Sequence, residues 1–440
     1  MKRLVALTLS VLMAGSLLTG CTASESNASD TNSGGEGEKV QIRIMTRASG
    51  TQPFDLAFQD MVKKFQEENP DIEIIDESIS DEGSYNDKLK TDIASGDLPD
   101  LFRIQGSVNL KPYIESGLIM NVDEILESDP EWASGFAEGS FDKWRFDDIE
   151  GTYGIPFESY PMGFFYNTEL FEQAGITETP ETWTEFLDCI EKLKAIGVTP
   201  ISLGSKDIWR AGHMQNAIMY RYCGVQKVID IGSREAKWTD PEVVEAWQKF
   251  ADLVNMGAFT PNSPGVSYEQ DKTDFLSGKA AMNYDGAYFV GEVAESELDG
   301  KVSVFPFPSF EEKPEYADNY RQTLNAYLLN AKTEGAEKEA LIKFVKFITG
   351  KEASQYYVDK ALYGVPRTDV EIDPATVGQL YTDLMALNEL VKVPGSDAFD
   401  YDPISSMQDV TRNAAVSIFL GTSPEEACQT IQAEIEDQEG

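Results

Sequence analysis

Three consecutive stretches decide the fold class: VQIRIM at residues 40–45, FDLAFQDMVKKFQEE at 54–68 and DIEII at 71–75. The first and third alternate apolar and polar residues, which is typical of β-strands. The middle stretch places its large apolar residues on one helical face and ends before Asn69 and Pro70, which stop a helix. A strand, a helix and a strand in succession favour a parallel sheet, so the sequence predicts an α/β protein.

A further strand is predicted at 100–104, after the turn GDLP. In α/β sheets of this kind a ligand usually binds beyond the carboxyl ends of the strands. Residues 48–51 and 105–109 follow two of these ends, so we expect Ser49 and Gln105 to face a ligand.

Further helices are predicted downstream, at 182–196, 241–256, 335–349 and twice within 405–437. About 400 residues follow the N-terminal segment. A single hydrophobic core stops growing beyond about 250–300 residues, so two domains or lobes are expected. Hydrophobic residues make up 41% of the chain, which excludes a disordered main body.

The N-terminus predicts export. Lys2 and Arg3 precede an apolar stretch that is too short for a membrane span, and LTGC follows at 18–21. LTGC resembles a bacterial lipobox, which implies a signal peptide over 1–20, a lipid on Cys21 and anchoring to the outer face of a bacterial cell membrane. Residues 21–38 are rich in Ser, Asn, Gly and Glu, as in a flexible tether. The alternative is an ordinary signal peptide followed by an accidental cysteine.

Composition excludes several kinds of partner and chemistry. The formal charge is −40, with 76 acidic and 36 basic residues and no basic run, so nucleic acid is not an expected partner. The sequence has one histidine and no metal-like spacing of cysteines, and we expect neither a metal nor a cofactor. We interpret Cys189, Cys223 and Cys428 as buried thiols; a disulfide between Cys189 and Cys223 is the alternative.

Several motifs occur in a characteristic order along the chain: GIP at 154–156, FYN at 165–167, LFEQAGI at 170–176, PETWTEF at 180–186, FLSGKAAM at 275–282, DGAY at 285–288 and GVP at 364–366. In these the chain resembles the family 1 extracellular solute-binding proteins, the maltose-binding-protein-like receptors of bacterial sugar importers. The resemblance covers nearly all of the chain after the tether.

The resemblance implies a two-lobed periplasmic-binding-protein-like fold with hinge crossings and a cleft that closes on the ligand. The predicted N-lobe holds residues 39–156 and 319–365, and the C-lobe holds 157–318 and 366–440. A mono- or oligosaccharide ligand, the permease subunits of an ABC importer and a monomeric state are implied, without enzymatic activity. A surface glycan receptor or adhesin without transport stays open, and so does a glycoside hydrolase, for which 76 acids always supply a carboxylate pair.

The family places aromatic and polar side chains in the cleft. Many relatives carry a Trp at the position of Tyr288, which implies that this ring stacks on a sugar; the alternative is a core tyrosine. Trp209 is expected in a loop where relatives carry ligand-facing aromatics. Glu158 and Tyr160 lie in a predicted loop after the first hinge, where Glu158 either accepts sugar hydroxyls or is a solvated acid.

Other candidates are polar. Asn283 and Asp285 flank the Tyr288 segment, and Tyr401 belongs to a loop that we expect to close over the cleft. Arg103 ends a predicted strand, and with Arg210 it favours an acidic sugar. The alternative for these arginines is pairing with protein acids.

Overall fold

The computed structural model describes residues 39–440, which form one compact unit. The predicted signal peptide, the tether and Cys21 lie outside the described residues. Within 39–440, no helix combines the length and the apolar character that a membrane crossing requires.

The strands of this part of the chain are numbered in chain order: β1 Val40–Ile44, β2 Ile72–Asp76, β3 Leu101–Phe102, β4 Arg145–Phe146, β5 Ile149–Thr152, β6 Ile155–Pro161, β7 Gly163–Asn167, β8 Thr199–Ser202, β9 Ala280–Asp285, β10 Val302–Phe305, β11 Asn319–Leu329 and β12 Val393–Gly395. They form a sheet ordered β12-β11-β3-β1-β2 with β6 also paired to β11, a sheet ordered β10-β7-β9-β8, and the hairpin β4-β5.

The helices of the same residues are α1 Pro53–Glu68, α2 Glu82–Ser95, α3 Lys111–Glu115, α4 Asp123–Ser128, α5 Pro130–Ser134, α6 Thr168–Gln173, α7 Trp183–Ala195, α8 Trp209–Cys223, α9 Val225–Gly232, α10 Pro241–Asn255, α11 Tyr268–Leu276, α12 Val290–Ala294, α13 Gly335–Ile348, α14 Lys351–Ala361, α15 Pro374–Ala386, α16 Met407–Phe419 and α17 Pro424–Glu439.

With the lobe limits that the sequence predicts, the first lobe contains β1–β3 with α1–α5, α13 and α14. The predicted parallel unit is confirmed, because β1 pairs with β2 in parallel from Val40 opposite Ile72 to Ile44 opposite Asp76. Helix α1 buries Phe58 and Phe65 against this sheet and against α13 and α14. Periodic burial of one face is what fixes such a helix on a sheet.

The second lobe contains β7–β10 with α6–α12 and α15–α17. Strand β9 is buried along its whole length, and it pairs in parallel with β8 and antiparallel with β7. Helix α7 begins as its sequence predicts, with a reciprocal cap in which Thr182 Oγ1 accepts the Glu185 N–H and Glu185 Oε2 accepts the Thr182 N–H.

Strands β6 and β11 connect the two lobes as a long antiparallel pair, from Gln322 opposite Pro161 to Tyr327 opposite Ile155. The register shifts between Asn325 and Ala326, as at a β-bulge. Two of the predicted lobe limits fall at or within these strands, and the limits themselves stay a prediction. Beyond residue 365 the chain still contacts the first lobe, because Pro366 O accepts the Ala137 N–H.

The structure changes two local predictions. Glu158 and Tyr160, predicted in a loop, lie within β6, because β11 pairs with this segment along its length. Trp209, also predicted in a loop, is the first residue of α8, most of whose residues are buried against neighbouring elements and therefore show no clear polar face in the sequence.

The cysteines of residues 39–440 are free and buried: Cys189 on α7, Cys223 on α8 and Cys428 on α17. The structure therefore favours buried thiols over a Cys189–Cys223 disulfide. Burial raises the pKa of Cys189 to about 11 and that of Cys428 to about 12, so that both are protonated at pH 8.

We predict that the chain from residue 39 reacts with a thiol reagent only after unfolding. At pH 8 the folded protein should show almost no modification, because burial removes both access and thiolate. In denaturant without reductant, all three thiols should react, as counted by mass spectrometry. A single reactive thiol in denaturant would instead demonstrate a disulfide.

Candidate functional site

Polar and aromatic side chains from both lobes meet at the β6–β11 pair in three connected groups. The Glu158 cluster consists of Glu158, Tyr160, Asn325 and Tyr363. The Arg210 cluster consists of Arg210, Asp271, Asn283, Asp285 and Tyr268. The Asp397 cluster consists of Asp397, His213, Arg321 and Arg412.

Glu158 is 5% exposed, and its carboxylate is held by three donors. Oε1 accepts from the hydroxyls of Tyr160 and Tyr363, and Oε2 accepts from Asn325 Nδ2. These donors come from β6, β11 and the segment after α14, so one carboxylate ties three segments together. Glu158 is therefore not a solvated loop acid.

Two glycines let Tyr160 reach this position. A Cβ on Gly364 would lie 2.7 Å from Tyr160 Cβ, and one on Gly286 would lie 2.3 Å from a carbon of the Tyr160 ring. Ser159 N–H also donates to Gly364 O at 3.0 Å. The close backbone approach explains why glycine stands in both the DGAY and the GVP motifs.

Arg210 is 2% exposed, and its guanidinium is fully engaged by protein acceptors. Nε donates to Asp271 Oδ2 at 2.9 Å, and Nη2 donates to Asn283 Oδ1 at 2.7 Å. Nη1 donates to Tyr284 O at 2.9 Å and to Asp285 Oδ2 at 3.2 Å. The alternative of pairing with protein acids therefore holds for Arg210.

Burial and neighbouring charges act in opposite directions on this cluster. Burial lowers the pKa of Arg210, but Asp271 and Asp285 raise it by a larger amount, so that the net shift is upward. Burial raises the pKa of Asp285, against the opposing effect of Arg210. A buried guanidinium with two carboxylates and an amide is a rigid unit, because removing any one member leaves a charge without its partner.

Three aromatic side chains beside this cluster are half-buried: Trp209, Tyr268 and Tyr288. The rings of Trp209 and Tyr268 meet edge-on with centroids 4.8 Å apart. The ring of Tyr288 meets that of Tyr160 edge-on at 5.6 Å, which connects the Arg210 and Glu158 clusters. The exposed part of these rings is the part that a solute can reach.

The tyrosine hydroxyls of the site are hydrogen-bond donors. Burial raises the pKa of Tyr160, Tyr268, Tyr288 and Tyr363 well above the usual range, and a neighbouring carboxylate raises it further. For Tyr160 and Tyr363 that carboxylate is Glu158. Neutral hydroxyls donate to carboxylates, as Tyr268 does to Asp285 Oδ2 at 3.1 Å.

Asp397 is buried among cations and an amide. Its Oδ1 accepts from Arg321 Nη2 at 2.9 Å and from Asn216 Nδ2 at 3.2 Å, and its Oδ2 lies 3.4 Å from Arg412 Nη2. Burial raises its pKa, but Arg321 and the other cations outweigh this and hold the pKa well below its usual range.

His213 Nε2 lies 3.5 Å from the Asp397 carboxylate, and its ring lies 4.8 Å from that of Trp209. Burial, with a contribution from Arg321, lowers the pKa of His213 to about 3, although Asp397 opposes the shift. The imidazole is therefore neutral at physiological pH, and its buried Nδ1 has no hydrogen-bond partner among residues 39–440.

Polar side chains bridge the two lobes directly. Arg412 Nη1 donates to Glu82 Oε1 at 2.9 Å, and Gln408 Nε2 donates to Gln105 Oε1 at 2.9 Å. These bonds join α16 of the second lobe to the start of α2 and the loop after β3 in the first. They close the lobes on one another.

A second bridge starts at Lys143 of the first lobe. Its Nζ donates to Asp400 Oδ2 at 2.8 Å and to Ser396 Oγ at 2.7 Å, in the segment after β12. The expected closing loop thus contacts the first lobe through Asp400. Tyr401 instead accepts the Ser396 N–H at 3.0 Å, which stabilises the loop itself.

Of the predicted site residues, ten lie in or beside these groups: Arg103, Gln105, Glu158, Tyr160, Trp209, Arg210, Asn283, Asp285, Tyr288 and Tyr401. Ser49 is exposed on the loop between β1 and α1 and takes no part in the network. Arg103 is half-buried, with its guanidinium carbon 5.4 Å from the centre of the Phe157 ring.

Sequence reasoning missed several members of the site: Glu82, Tyr268, Asp271, Arg321, Asn325, Tyr363, Asp397, Gln408 and Arg412. Two sequence signals point to some of them. Arg321 and Asn325 interrupt a strand that is otherwise rich in apolar residues, and Tyr363 directly precedes the GVP motif.

The pKa of His213 predicts how stability depends on pH. The unfolded chain binds a proton at this histidine below about pH 6.5, whereas the folded chain does not until near pH 3. Stability contributed by the neutral imidazole is therefore present above pH 6.5 and is lost as the pH falls. At pH 5 the loss should be about 2 kcal/mol, from 1.4 kcal/mol per pKa unit.

The measurement compares the free energy of unfolding of the protein and of His213→Gln at pH 7.5 and pH 5. Titrating groups that the substitution leaves unchanged contribute equally to both proteins. The free energy of unfolding of the unchanged protein should therefore fall relative to that of His213→Gln when the pH is lowered to 5. Because the chain has one histidine, its imidazole NMR signal provides an independent test and should not titrate between pH 8 and 5. A titration near pH 6.5 would contradict the burial argument.

The chain is similar to known proteins in sequence and in fold. A sequence profile of the bacterial extracellular solute-binding proteins matches residues 48–355. The multiple sugar-binding protein of Streptococcus mutans is 24% identical over 353 residues, which cover 78% of this chain and 77% of that protein.

Solved structures share the fold. A chitin oligosaccharide binding protein superposes with a TM-score of 0.82 at 24% identity, over 91% of this chain and 99% of that one. A structure from work on xylan utilisation by Caldanaerobius polysaccharolyticus superposes with a TM-score of 0.80 at 25% identity, over 90% of this chain and all of that one. The fold is thus the two-lobed periplasmic-binding-protein-like fold, and the chain belongs to the bacterial extracellular solute-binding protein family.

Proposed function

We propose that the chain captures a carbohydrate between its two lobes and delivers it to the permease of an ABC importer. The observation that carries this proposal is the group of half-buried rings of Trp209, Tyr268 and Tyr288 beside a fixed network of hydroxyl, amide and carboxylate groups. A sugar offers C–H bonds on its faces and hydroxyls around its rim, which match such a surface.

The division of roles follows from burial. The rings of Trp209 and Tyr288 are the proposed stacking surfaces, and Gln105, also half-buried, is a proposed polar contact. Glu158 and Asp285 are buried and bonded to protein groups, so we assign them to positioning the tyrosines and Arg210. This use of both carboxylates supports binding without catalysis.

Relatives support the substrate class. The Streptococcus mutans protein is named for binding multiple sugars, and one structural neighbour is named for chitin oligosaccharides. Neither name selects a sugar for this chain.

We also propose that the protein acts as a monomer, held at the outer face of the cell membrane by a lipid on Cys21. The LTGC motif and the family's extracellular location support this proposal. A diacylated cysteine supplies two chains, which suffices for stable anchoring.

The anchor proposal predicts where the full-length protein partitions when it is expressed in a bacterium. The protein should enter the detergent phase of a Triton X-114 extract, whereas Cys21→Ala should enter the aqueous phase. Cys189→Ala, whose thiol is internal, serves as the matched control and should behave like the unchanged protein. Equal partition of the protein and Cys21→Ala would contradict the anchor.

The capture proposal predicts stabilisation by saccharides in a thermal-shift screen of the chain from residue 39. At a ligand concentration 100 times Kd, the stabilisation should be about 2.7 kcal/mol. For the best saccharide, Trp209→Ala and Tyr288→Ala should each weaken binding by about 2 kcal/mol, as the loss of a central aromatic contact does.

Tyr356→Ala, which removes a tyrosine on α14 that bonds to Asp60, is the matched control and should leave affinity unchanged. Calorimetric titration measures the affinity of the unchanged protein and of each of the three variants. Stabilisation by amino acids or peptides and by no saccharide would contradict the assignment to carbohydrate, and undiminished binding by both cleft variants would contradict the stacking surfaces.

A further inference from the structure

Arg103 is held rigidly at the interlobe junction. It follows β3, and the Tyr85 hydroxyl both accepts its N–H at 3.0 Å and donates to its carbonyl at 2.9 Å. Its guanidinium lies over the Phe157 ring, which stacks on Tyr327 with centroids 4.1 Å apart. Tyr85 thus holds the backbone of Arg103, and Phe157 packs against its guanidinium.

The donors of Arg103 are unused. Within the part of the chain that the structure describes, no acceptor lies within hydrogen-bond or ion-pair distance of its guanidinium. The neighbouring arginines differ: Arg47 and Arg412 both pair with Glu82, and Arg321 pairs with Asp397. A half-buried guanidinium without protein acceptors keeps its N–H groups free for a partner from outside the chain.

Glu158 does not accept hydrogen bonds from the Arg103 guanidinium. Glu158 is close enough to raise the pKa of Arg103 against the effect of burial. Its oxygens, however, accept from Tyr160, Tyr363 and Asn325 and do not bond to Arg103. The fork of Arg103 therefore remains open to a carboxylate from outside the chain.

The local charge has the sign that such a ligand requires. At this side of the junction Arg47 and Arg412 pair with Glu82, and Arg412 and Arg321 pair with Asp397. With Arg103 and Glu158, four guanidiniums stand beside three carboxylates, which leaves one positive charge in excess among these groups. The whole chain carries −40, so this excess is a local feature and not a consequence of composition. One carboxylate on a solute would neutralise it.

We propose that the solute is an acidic saccharide, one that carries a carboxylate as a uronic acid does, and that Arg103 binds this carboxylate. The inference rests on the proposed capture of a carbohydrate and specifies its chemical class. Uncharged parts of the saccharide contact Trp209 and Tyr288. The Tyr288 ring meets that of Tyr160, whose hydroxyl donates to the Glu158 carboxylate near Arg103. Arg210 takes no part, because its donors are engaged.

The test compares acids with their methyl esters, which lack the negative charge and carry one additional methyl group. Calorimetric titration of the chain from residue 39 uses di- to tetra-galacturonate and glucuronic-acid-substituted xylo-oligosaccharides, each acid beside its ester. A charge-assisted fork predicts that an acid binds about 10- to 100-fold more tightly than its ester. Arg103→Gln should abolish this preference and leave ester binding within about twofold, whereas Arg145→Gln, an exposed arginine, should keep the preference.

The acid-to-ester comparison on the unchanged protein stands even if Arg103→Gln fails to fold, and Arg103→Lys, which keeps the charge but not the fork, gives an intermediate preference. Equal binding of acid and ester, or a preference that persists in Arg103→Gln, overturns the inference but leaves carbohydrate capture intact. Tighter binding of sugar phosphates or of inorganic phosphate overturns the carboxylate. Binding of no saccharide, charged or neutral, overturns both proposals.

Discussion

The antiparallel pairing of β6 with β11 is the contact on which the rest of the structure depends. Both strands run between the lobes, so their register fixes how the lobes face each other. The same strands carry Glu158, Tyr160 and Asn325 of the Glu158 cluster and Arg321 of the Asp397 cluster. A shift of the register by one residue would turn all these side chains to the opposite face of the sheet.

The buried ions at the centre of the three clusters follow one rule, which is that burial is accompanied by a partner. Arg210, Asp397 and Glu158 each lose water and each meet several donors or acceptors. Such networks add less to stability than their distances suggest, since desolvation offsets much of the attraction. Their main effect is on geometry, because each hydrogen bond restricts the arrangement of the side chains that it joins. Arg103 departs from this rule.

Local patterns in the sequence were enough to predict the β1-α1-β2 unit, the helix α7 and the thiol burial. The motif resemblance was enough to predict the two-lobed fold and the neighbourhood of Asp285 and Tyr288. Pairs such as Arg210 with Asp271 or Lys143 with Asp400 are separated by 61 and 257 residues, and no local periodicity encodes them. The same reason explains Glu158, whose strand becomes evident only when β11 lies beside it.

The large number of acidic residues also limited what could be predicted about the site. A sequence with 76 acids offers no means of selecting the carboxylates that matter, because solvated and buried acids look alike before folding. In the structure, the solvated and the buried acids differ in their exposure and in the hydrogen-bond donors that contact their carboxylates. Asp271 and Asp285 are fully buried, and both bind the same arginine.

The bridges from Lys143 to Asp400 and from Arg412 to Glu82 have a consequence for how a solute is released. They give lobe closure a free energy of its own, to which a bound molecule adds. The apparent affinity of a two-state receptor scales with the fraction that is already closed. A molecule that competed for Asp400 or Glu82 would therefore lower the apparent affinity for a solute without touching the solute itself.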